Sequence, residues 1–382
     1  MKILTEIRVL DLTDHWFGPW CTLLLAEIGA EVIKVEPTWG ATGRIGSGSL
    51  LGGVDPSFHY LNMCKKSLSI NLKTEEGKGI FKELVKKSDV VAQNFLPGVM
   101  ERFGLGYDVL KEINPGVIYA ALSGFGQYGP YSQRSSFDAI AEAISGHTRL
   151  TGDEADPNGP PLRMAQSYGD LGPGTFAAFC IMAAIRNRDR TGVGQMIDVA
   201  QADCMVALNT AIVGYSMTGL LPWEIKVKYP TTQLGGMFKA RDGWVQIAAF
   251  RARALDAMKE KLGVEEITKA TFEGVISGMT RDEAVKYFAE IGMPVAPIYQ
   301  VNESLKDPHL NARNMFIEVE HKKAGKFKTV NFPVKFSVTP GEVTSAAPLL
   351  GQHNREILEG LLGYDEKRIE ELEKGGIIYT DK

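Results

Sequence analysis

The chain has 382 residues, of which 44% are hydrophobic and 23% are charged, and its formal net charge is -4. A chain of this length buries a large core and suits two domains better than one. The ordinary apolar content excludes a disordered or fibrous protein. The slight negative charge offers no extended basic surface for nucleic acid or an anionic membrane, so a bound anion must be met by a local pocket.

The N-terminal residues contain no apolar signal-peptide core, and no apolar run reaches the ~18 residues of a bilayer-spanning helix. The four cysteines (Cys21, Cys64, Cys180 and Cys204) are scattered and form no CxxC pair. Neither a disulfide framework nor a zinc site is therefore indicated. We expect a cytoplasmic protein without a bound metal.

The first half of the chain alternates short apolar strands with helices. In chain order, the patterns predict strands over residues 8–12, 31–35, 68–72, 89–92, 117–122 and 196–199. Helices are predicted over residues 19–28, 75–87 and 175–187 and from about residue 202. This alternation predicts an α/β domain with a mainly parallel sheet.

The pattern changes after residue 214. Residues 229–236 indicate a linker or mobile loop, and a hairpin over 237–247 turns at Asp242-Gly243. Helices are predicted over residues 252–262, 281–292 and 354–362, and residues 319–340 are strand-like. The segment after residue 229 therefore indicates a separate, smaller α/β domain.

A lone carboxylate, Asp170, lies among glycines just before the helix predicted over residues 175–187. The N-terminus of a helix is its positive end, and glycines let another molecule approach the backbone closely. A carboxylate in this setting is either a helix cap or an ionised nucleophile. The cap is the more common of the two, and the surrounding loops favour the nucleophile.

The turn over residues 13–19 is bulky where a dinucleotide site needs glycines at GxGxxG spacing, which excludes a nicotinamide or flavin dehydrogenase. The loops over residues 94–98 and 123–130 follow predicted strands, and Lys65, Lys66 and Lys73 supply positive charge. Taken singly, these are ordinary turns and a solvated basic patch. Because they follow strands of one sheet, together they predict a shared ligand site.

With these residues, the chain resembles the family III CoA-transferases, a group that includes formyl-CoA transferase, carnitine CoA-transferase and α-methylacyl-CoA racemase. The similarity runs nearly end to end, and its specificity lies in the ordered set rather than in one motif. The matching segments are residues 9–13, 18–19, 29–36, 66–73, 94–98 with Arg102, 123–126, 169–170, 194–199, 307–309 and 350–353.

The resemblance implies that Asp170 is the catalytic nucleophile. It also implies a coenzyme A site in which Lys73 and Arg102 meet the phosphates. The residues implied for this site are Asp14, His15, Trp16, Phe17, Ile70, Lys73, Asn94, Phe95 and Arg102, together with Phe137 and Asp138. Coenzyme A enters as part of a thioester substrate or product, and no metal is implied.

Two positions depart from the family pattern. Formyl-CoA transferase carries a polar amide at the position of Trp16, so the tryptophan implies a larger or more apolar acyl group. Pro37 stands where an arginine contacts the coenzyme.

The resemblance further implies a Rossmann-like large domain over residues 1–215, a small domain over 230–320, and a C-terminal segment, residues 330–382, that returns to the large domain. Two such chains would interlock as linked rings in a homodimer. The partners implied are acyl-CoA and carboxylic acid substrates, with neither nucleic acid nor a membrane.

The implied function is the transfer of coenzyme A from an acyl-CoA to a carboxylic acid, through an aspartyl anhydride and an aspartyl-CoA thioester on Asp170. Backbone N–H groups around Gly169, Gly172 and the Gly235-Gly236 loop are candidate oxyanion donors. One alternative is epimerisation of a 2-methylacyl-CoA. It is disfavoured because related racemases carry a histidine at the position of Phe137, and His147 lies ten residues further on. The other alternative is a non-catalytic CoA-binding protein.

Overall fold

The computed structural model describes residues 2–46, 50–228, 234–249 and 251–381. The chain divides into two compact units. Met1–Gly219 and Met315–Lys382 form the first unit, and Leu220–Asn314 form the second. Of the predicted linker, residues 229–233 lie outside the described residues.

Six parallel strands form the sheet of the first unit. In chain order they are β1 (Arg8–Asp11), β2 (Glu31–Glu36), β3 (Lys65–Ser69), β4 (Val90–Gln93), β5 (Ile118–Ser123) and β6 (Met196–Ala200). Their order across the sheet is β3-β2-β1-β4-β5-β6. The predicted α/β fold with a parallel sheet is confirmed, although the third strand begins at Lys65 rather than Leu68. The strand order reverses between β1 and β4, and in open α/β sheets ligands bind at such a switch point, outside the carboxyl ends of the strands.

Eighteen α-helices and a short 3-10 helix (Thr42–Arg44) lie within the described residues. They are α1 (Phe17–Glu27), α2 (Pro56–Leu61), α3 (Glu75–Val85), α4 (Val99–Arg102), α5 (Tyr107–Ile113), α6 (Asp138–Ile144), α7 (His147–Ala155), α8 (Tyr168–Thr191), α9 (Gln201–Leu208), α10 (Thr210–Thr218), α11 (Pro222–Lys228), α12 (Ala252–Leu262), α13 (Lys269–Ser277), α14 (Arg281–Glu290), α15 (Val301–Ser304), α16 (Pro308–Ala312), α17 (Asn354–Leu362) and α18 (Glu366–Lys374).

Both faces of the six-stranded sheet are covered by helices. Because successive side chains of a strand point to opposite faces, Leu10 of β1 packs in a core with α3, α5, α17 and α18. Its neighbour Val9 packs in a second core with α1 and α8. Burial on both faces explains why the central strands β4 and β5 are near-continuous apolar runs in the sequence.

A buried network of charged and polar groups holds the end of β1 against β3. Lys65 Nζ donates to Asp11 Oδ2 (3.0 Å), Thr22 Oγ1 (2.8 Å) and Asn62 Oδ1 (3.0 Å). Burial raises the pKa of Asp11, but the charges of Lys65 and Lys34 outweigh it and lower that pKa to about 2. The carboxylate is therefore ionised and paired, which is the condition under which a buried charge is tolerated.

Helix α8 runs through the core of the first unit. Among the described residues it is the one helix long and apolar enough to cross a membrane, a length that the sequence patterns did not predict. Half of its apolar window is buried, and it packs against α1, β5 and β6. Its last turns carry the charged residues Arg188 and Arg190. This packing identifies α8 as a core helix.

The second unit contains a three-stranded antiparallel sheet made of β7 (Gly236–Ala240), β8 (Gly243–Ile247) and β9 (Val295–Ile298). The predicted hairpin with its turn at Asp242-Gly243 is confirmed. The rings of Phe238, Phe272 and Phe288 stack in its core. The first unit carries one further hairpin, formed by β10 (Phe316–His321) and β11 (Gly325–Val330).

Candidate active site

Two adjoining cavities open at the carboxyl edge of the parallel sheet. The inner cavity is lined by residues from the segments that follow β1, β4, β5 and β6, and it includes Asp170. The outer cavity is lined by residues that follow β1, β2, β3 and β4. Asp14 and Phe95 line both, so the cavities are neighbours that share a wall. Their cavity volumes are about 200 and 210 Å³ respectively.

The shared wall is fixed by the side chain of Asn94. Its Oδ1 accepts from the backbone N–H of Asp14 (2.9 Å), and its Nδ2 donates to the backbone oxygen of Asp14 (2.8 Å). These two bonds join the loops after β1 and β4 across the switch point. Asn94 therefore positions the turn as well as lining the inner cavity.

The turn after β1 is held in a specific shape by the Asp14 carboxylate. It accepts hydrogen bonds from the backbone N–H groups of Thr42 (2.8 Å) and Gly43 (3.0 Å) and from that of His15 (2.8 Å). Burial raises the pKa of Asp14, but the charge of Lys34 and the hydrogen bonds from the Thr42 hydroxyl and the His15 N–H lower it overall. His15 adopts a left-handed conformation with φ of 62° and lines the inner cavity.

Asp170 lies in the first turn of α8, because this helix begins at Tyr168 and not at residue 175 as predicted. Its side chain is buried in the inner cavity, with 8% of the residue exposed. Gln201, the first residue of α9, donates its Nε2–H to Asp170 Oδ1 at 2.5 Å. The carboxylate thus meets the cavity with one oxygen held by an amide donor.

The pKa of Asp170 is raised to about 7. Burial is the main cause, and the nearby carboxylate of Asp138 adds to it, while the Gln201 hydrogen bond and Arg163 act in the opposite direction. A carboxylate with this pKa is more basic than an ordinary one and is largely ionised only above neutral pH. Strongly shifted pKa values of this kind are typical of functional sites.

Asp138 supports Gly169, the residue before Asp170. Its Oδ1 accepts the backbone N–H of Gly169 (2.7 Å), and its Oδ2 is paired with Arg163. Glu142 Oε2 lies 4.0 Å from Arg163 Nε, and Glu142 Oε1 is buried with no hydrogen-bond partner. Burial raises the pKa of Glu142, and the charge of Asp138 raises it further. Two buried acids, Asp138 and Glu142, therefore lie close to Asp170 and help to raise the pKa of its carboxyl group.

The glycines around Asp170 serve close packing within the chain, which differs from the expected role of admitting a ligand. A Cβ on Gly169 would lie 2.5 Å from the Asp138 carbonyl oxygen, and one on Gly172 would lie 2.8 Å from Leu208. A Cβ on Gly174 would lie 2.7 Å from the carbonyl oxygen of Phe17 on α1. Helices α6, α9 and α1 approach α8 this closely only because side chains are absent.

Two of the expected oxyanion donors, the N–H groups of Gly169 and Gly172, are already engaged within the protein. The Gly169 N–H is already used by Asp138. Gly172 lies inside α8, where backbone N–H groups donate to carbonyls one turn earlier. The Gly235-Gly236 loop belongs to the second unit, and its role stays a prediction. The donor that does reach the Asp170 carboxylate is the side-chain amide of Gln201.

Phe137 lies in the inner cavity together with Asp170, at the position where related racemases are expected to carry a histidine. Its ring is 59% exposed and meets the His15 ring edge-on, with centroids 5.5 Å apart. His147 begins α7, accepts or donates a hydrogen bond at Ser145, and lines neither cavity. His15 is thus the imidazole that shares the cavity with Asp170.

The outer cavity combines a cation with aromatic and apolar walls. Ile70 and Lys73 line it, as expected, and so does Trp39, which the sequence did not single out. Lys73 Nζ lies 5.0 Å from the centroid of the Trp39 ring. Glu36 is held at the cavity wall by two 2.7 Å hydrogen bonds from Arg44. Glu36 is therefore committed to an ion pair, in agreement with the exclusion of a dinucleotide site.

The sequence-predicted residues do not all meet at these cavities. The inner cavity includes Asp14, His15, Phe17, Asn94, Phe95, Phe137 and Asp170, and the outer cavity includes Asp14, Ile70, Lys73 and Phe95. Trp16 is half-buried at the start of α1, Arg102 is exposed at the end of α4, and Asp138 is buried behind Asp170. These three line neither cavity.

The sequence patterns did not single out Gln201, Trp39 or Arg134, which also line the cavities. Each lies in a segment that follows a strand of the sheet, a signal that placed other residues correctly. Among the described residues, no group of three or more histidine, cysteine, aspartate or glutamate side chains is arranged to hold a metal ion.

Replacing Asp170 by asparagine should stabilise the protein in a pH-dependent manner. The pKa of Asp170 is about 7 when folded and near 3.8 ordinarily, so between these values the unfolded chain loses a proton that the folded chain keeps. The unfolding free energy of the wild type therefore falls as pH rises toward 7, whereas an amide does not titrate. We expect the difference in unfolding free energy between Asp170→Asn and the wild type to increase in favour of the variant by about 2 kcal/mol between pH 5.5 and pH 8.5.

Urea unfolding at the two pH values measures this difference. Asp189→Asn, at the exposed far end of α8, is the matched control and should show no such growth. An Asp170→Asn variant whose stability follows that of the wild type at both pH values would show that the carboxylate is ionised throughout.

Comparison with known proteins agrees with this geometry. The model of CoA-transferase family III matches residues 4–354. The chain is 35% identical to succinyl-CoA–D-citramalate CoA-transferase of Chloroflexus aurantiacus, covering 98% of each chain. It is 33% identical to formyl-CoA:oxalate CoA-transferase of Streptomyces avermitilis, covering 99% of this chain and 100% of the relative.

Among solved structures, a CAIB/BAIF family protein from Brucella suis superimposes with a TM-score of 0.83 at 29% identity, over 94% of this chain and 99% of that one. A protein of Mycobacterium tuberculosis, Rv3272, superimposes with a TM-score of 0.78 at 26% identity, over 93% and 98%. The resemblance inferred from the sequence is confirmed. The chain belongs to CoA-transferase family III and is a CoA-transferase.

Proposed function

We propose that the protein moves coenzyme A from an acyl-CoA thioester to a carboxylic acid acceptor, with Asp170 as the covalent carrier. The observation that carries this proposal is a buried carboxylate, held by one amide donor, on the wall of a cavity that adjoins a second, cationic cavity. The names of the relatives support it, since they pair succinyl-CoA or formyl-CoA with citramalate, oxalate or glutarate.

The first half of the reaction loads the enzyme. Asp170 attacks the thioester carbonyl carbon, the C–S bond breaks, and the coenzyme leaves as a thiolate with the bonding electron pair, which gives a mixed anhydride. The thiolate then attacks the Asp170 carbonyl carbon and expels the donor acid as a carboxylate. The enzyme now holds an aspartyl-CoA thioester.

The second half reverses these steps with a new acid. The acceptor carboxylate attacks the aspartyl thioester carbonyl and releases the thiolate, and a second anhydride forms. The thiolate attacks the acceptor's acyl carbon, so the new thioester leaves and the Asp170 carboxylate is regenerated. No proton is gained or lost overall.

Gln201 and the buried position of Asp170 support both halves. The Gln201 amide donates to Oδ1, which leaves Oδ2 for bond formation. When the Asp170 carbonyl is attacked, the same amide faces the oxygen on which negative charge develops. The raised pKa makes the carboxylate a stronger nucleophile, so kcat/KM for the donor should rise with pH up to about 7.

Replacing Asp170 by alanine should abolish CoA exchange between an acyl-CoA and a free acid, with a loss of at least about 1000-fold, because the covalent route is removed. The wild type incubated with acyl-CoA alone and then with hydroxylamine should carry a hydroxamate on the peptide that contains Asp170. Mass spectrometry of the digested protein measures it.

Asp189→Ala, at the other end of α8, is the control and should exchange normally. Wild-type exchange by Asp170→Ala, or a hydroxamate on another residue, would remove Asp170 from the mechanism. Solvent deuterium that enters the α-carbon of a 2-methylacyl-CoA without any acceptor would instead indicate epimerisation, with His15 as the imidazole in the cavity.

The outer cavity is the proposed place of the coenzyme's nucleotide end. Its walls offer a ring, Trp39, against which a purine can stack, and a cation, Lys73, that can meet a phosphate. Within the described residues Lys73 has no ion pair that would compete for this charge. The thioester end then points through the shared wall at Asp14 and Phe95 toward Asp170.

Lys73→Gln should raise the KM for the acyl-CoA donor about tenfold, because one charge-assisted contact with a phosphate is lost. The KM for the acceptor acid should stay unchanged. Steady-state kinetics at low and high salt measure both constants, and the effect should shrink at high salt. Lys86→Gln, exposed after α3, is the control. A rise in the acceptor KM alone would place Lys73 outside the coenzyme site.

We also propose that two chains form an interlocked homodimer. None of the residues of α10 is buried, although Ile212, Val213, Tyr215 and Met217 are large and apolar. An apolar helix left open to solvent indicates a surface that another molecule covers.

Sedimentation velocity should show a dimer at micromolar concentration, and dilution should not separate interlocked chains unless they unfold. A monomer would contradict the dimer, and reversible dissociation would contradict the interlocking.

A further inference from the structure

Arg134 lines the inner cavity together with Asp170 and Gln201, and the chemistry at Asp170 gives it no role. The residue is exposed, and its guanidinium carbon lies 3.8 Å from the centroid of the Tyr131 ring. Within residues 2–46, 50–228, 234–249 and 251–381, no carboxylate forms an ion pair with the guanidinium group and no acceptor receives a hydrogen bond from it.

The segment that carries Arg134 is tied to the sheet by several hydrogen bonds. The Gly126 N–H donates to Ser123 Oγ (2.9 Å), and the Gln127 N–H donates to Asp198 Oδ2 (3.0 Å). The backbone N–H of Arg134 donates to the backbone carbonyl oxygen of Tyr131 (2.8 Å). The Tyr131 ring in turn meets Phe125 edge-on at 5.8 Å. The guanidinium is therefore presented from an ordered base.

Stacking on a ring occupies the face of a guanidinium and leaves its N–H donors free in the plane. That edge matches a carboxylate, which accepts two parallel hydrogen bonds. Ser135 lines the same cavity and adds a hydroxyl donor, whereas the Ser136 hydroxyl donates to the Phe137 carbonyl oxygen (3.4 Å). Arg134 and Ser135 thus provide donors for a carboxylate of the substrate other than the one that reacts at Asp170.

The other cations near the cavity are already engaged. Arg163 pairs with Asp138, and Lys34 donates to the Thr13 carbonyl oxygen at 2.7 Å. Lys73 belongs to the outer cavity. Arg134 is consequently the cation of the inner cavity that a substrate can neutralise.

We propose that Arg134 binds the second, non-reacting carboxylate of a dicarboxylic acid, so that the acids between which coenzyme A is moved are dicarboxylic acids, each joined to coenzyme A as a thioester through one carboxyl group. This inference rests on the transferase function proposed above. One carboxyl of the acid reacts at Asp170, and the other pairs with Arg134. A monocarboxylic acid of equal length leaves Arg134 without its anion and binds more weakly.

Matched pairs of acids test the proposal: succinate against butyrate and glutarate against valerate as acceptors, and succinyl-CoA against butyryl-CoA as donors. The wild type should prefer the dicarboxylic member of each pair. Arg134→Gln should lower kcat/KM for the dicarboxylic members about 10- to 100-fold, mainly through KM, because a charge-assisted contact is lost. The kcat/KM of this variant for the monocarboxylic members should stay within about twofold of the wild-type value. Arg134→Lys should recover part of the loss for the dicarboxylic members.

Arg190→Gln is the matched control, because it removes the same charge at the far end of α8, about 30 Å along the helix from Asp170. It should leave the preference for dicarboxylic acceptors and donors unchanged. Three results would overturn the proposal. The wild type could show no preference for dicarboxylic acids, or Arg134→Gln could lower kcat/KM equally for both acids of a pair. The third result is an Arg134→Gln variant whose affinity for free coenzyme A falls instead. The last result would assign Arg134 to a phosphate. Transfer that persists without preference refutes only this inference, whereas absence of any CoA transfer by the wild type refutes the proposed function as well.

Discussion

Parallel strands bring their carboxyl ends to a single edge, and the rest of the site depends on this constraint. The edge is useful only where the loops are held together, and the two hydrogen bonds between Asn94 and the backbone of Asp14 do this at the switch point. They create the wall shared by the two cavities. A ligand with a nucleotide at one end and a thioester at the other fits such a divided edge.

The packing of helices around Asp170 also determines the protonation state of its carboxyl group. Close approach of α1, α6 and α9 to α8 requires glycines around Asp170 and removes water from its carboxylate. Burial and the neighbouring acid Asp138 then raise its pKa to about 7. The folded state loses stability when this group ionises, and in the proposed reaction the same raised pKa gives a more nucleophilic oxygen.

Charges in this unit fall into two classes. Those beneath the site are paired: Lys65 with Asp11, and Arg44 with Glu36. The cations that line the cavities, Lys73 and Arg134, lie over aromatic rings and form no ion pair within the part of the chain that the structure describes. Paired charges hold the scaffold, whereas the unpaired cations are the ones that we propose to bind anionic parts of the substrates.

The sequence by itself determined the alternation of strands and helices and the family, because apolar periodicity and ordered motifs are local properties of the chain. Tertiary structure alone decided that α8 begins at Tyr168, that the glycines serve packing, and that Gln201 donates to the Asp170 carboxylate. It also brought Trp39 and Arg134 to the cavities. These facts depend on contacts between distant residues, such as the 31 positions that separate Asp170 from Gln201, and no local pattern encodes them.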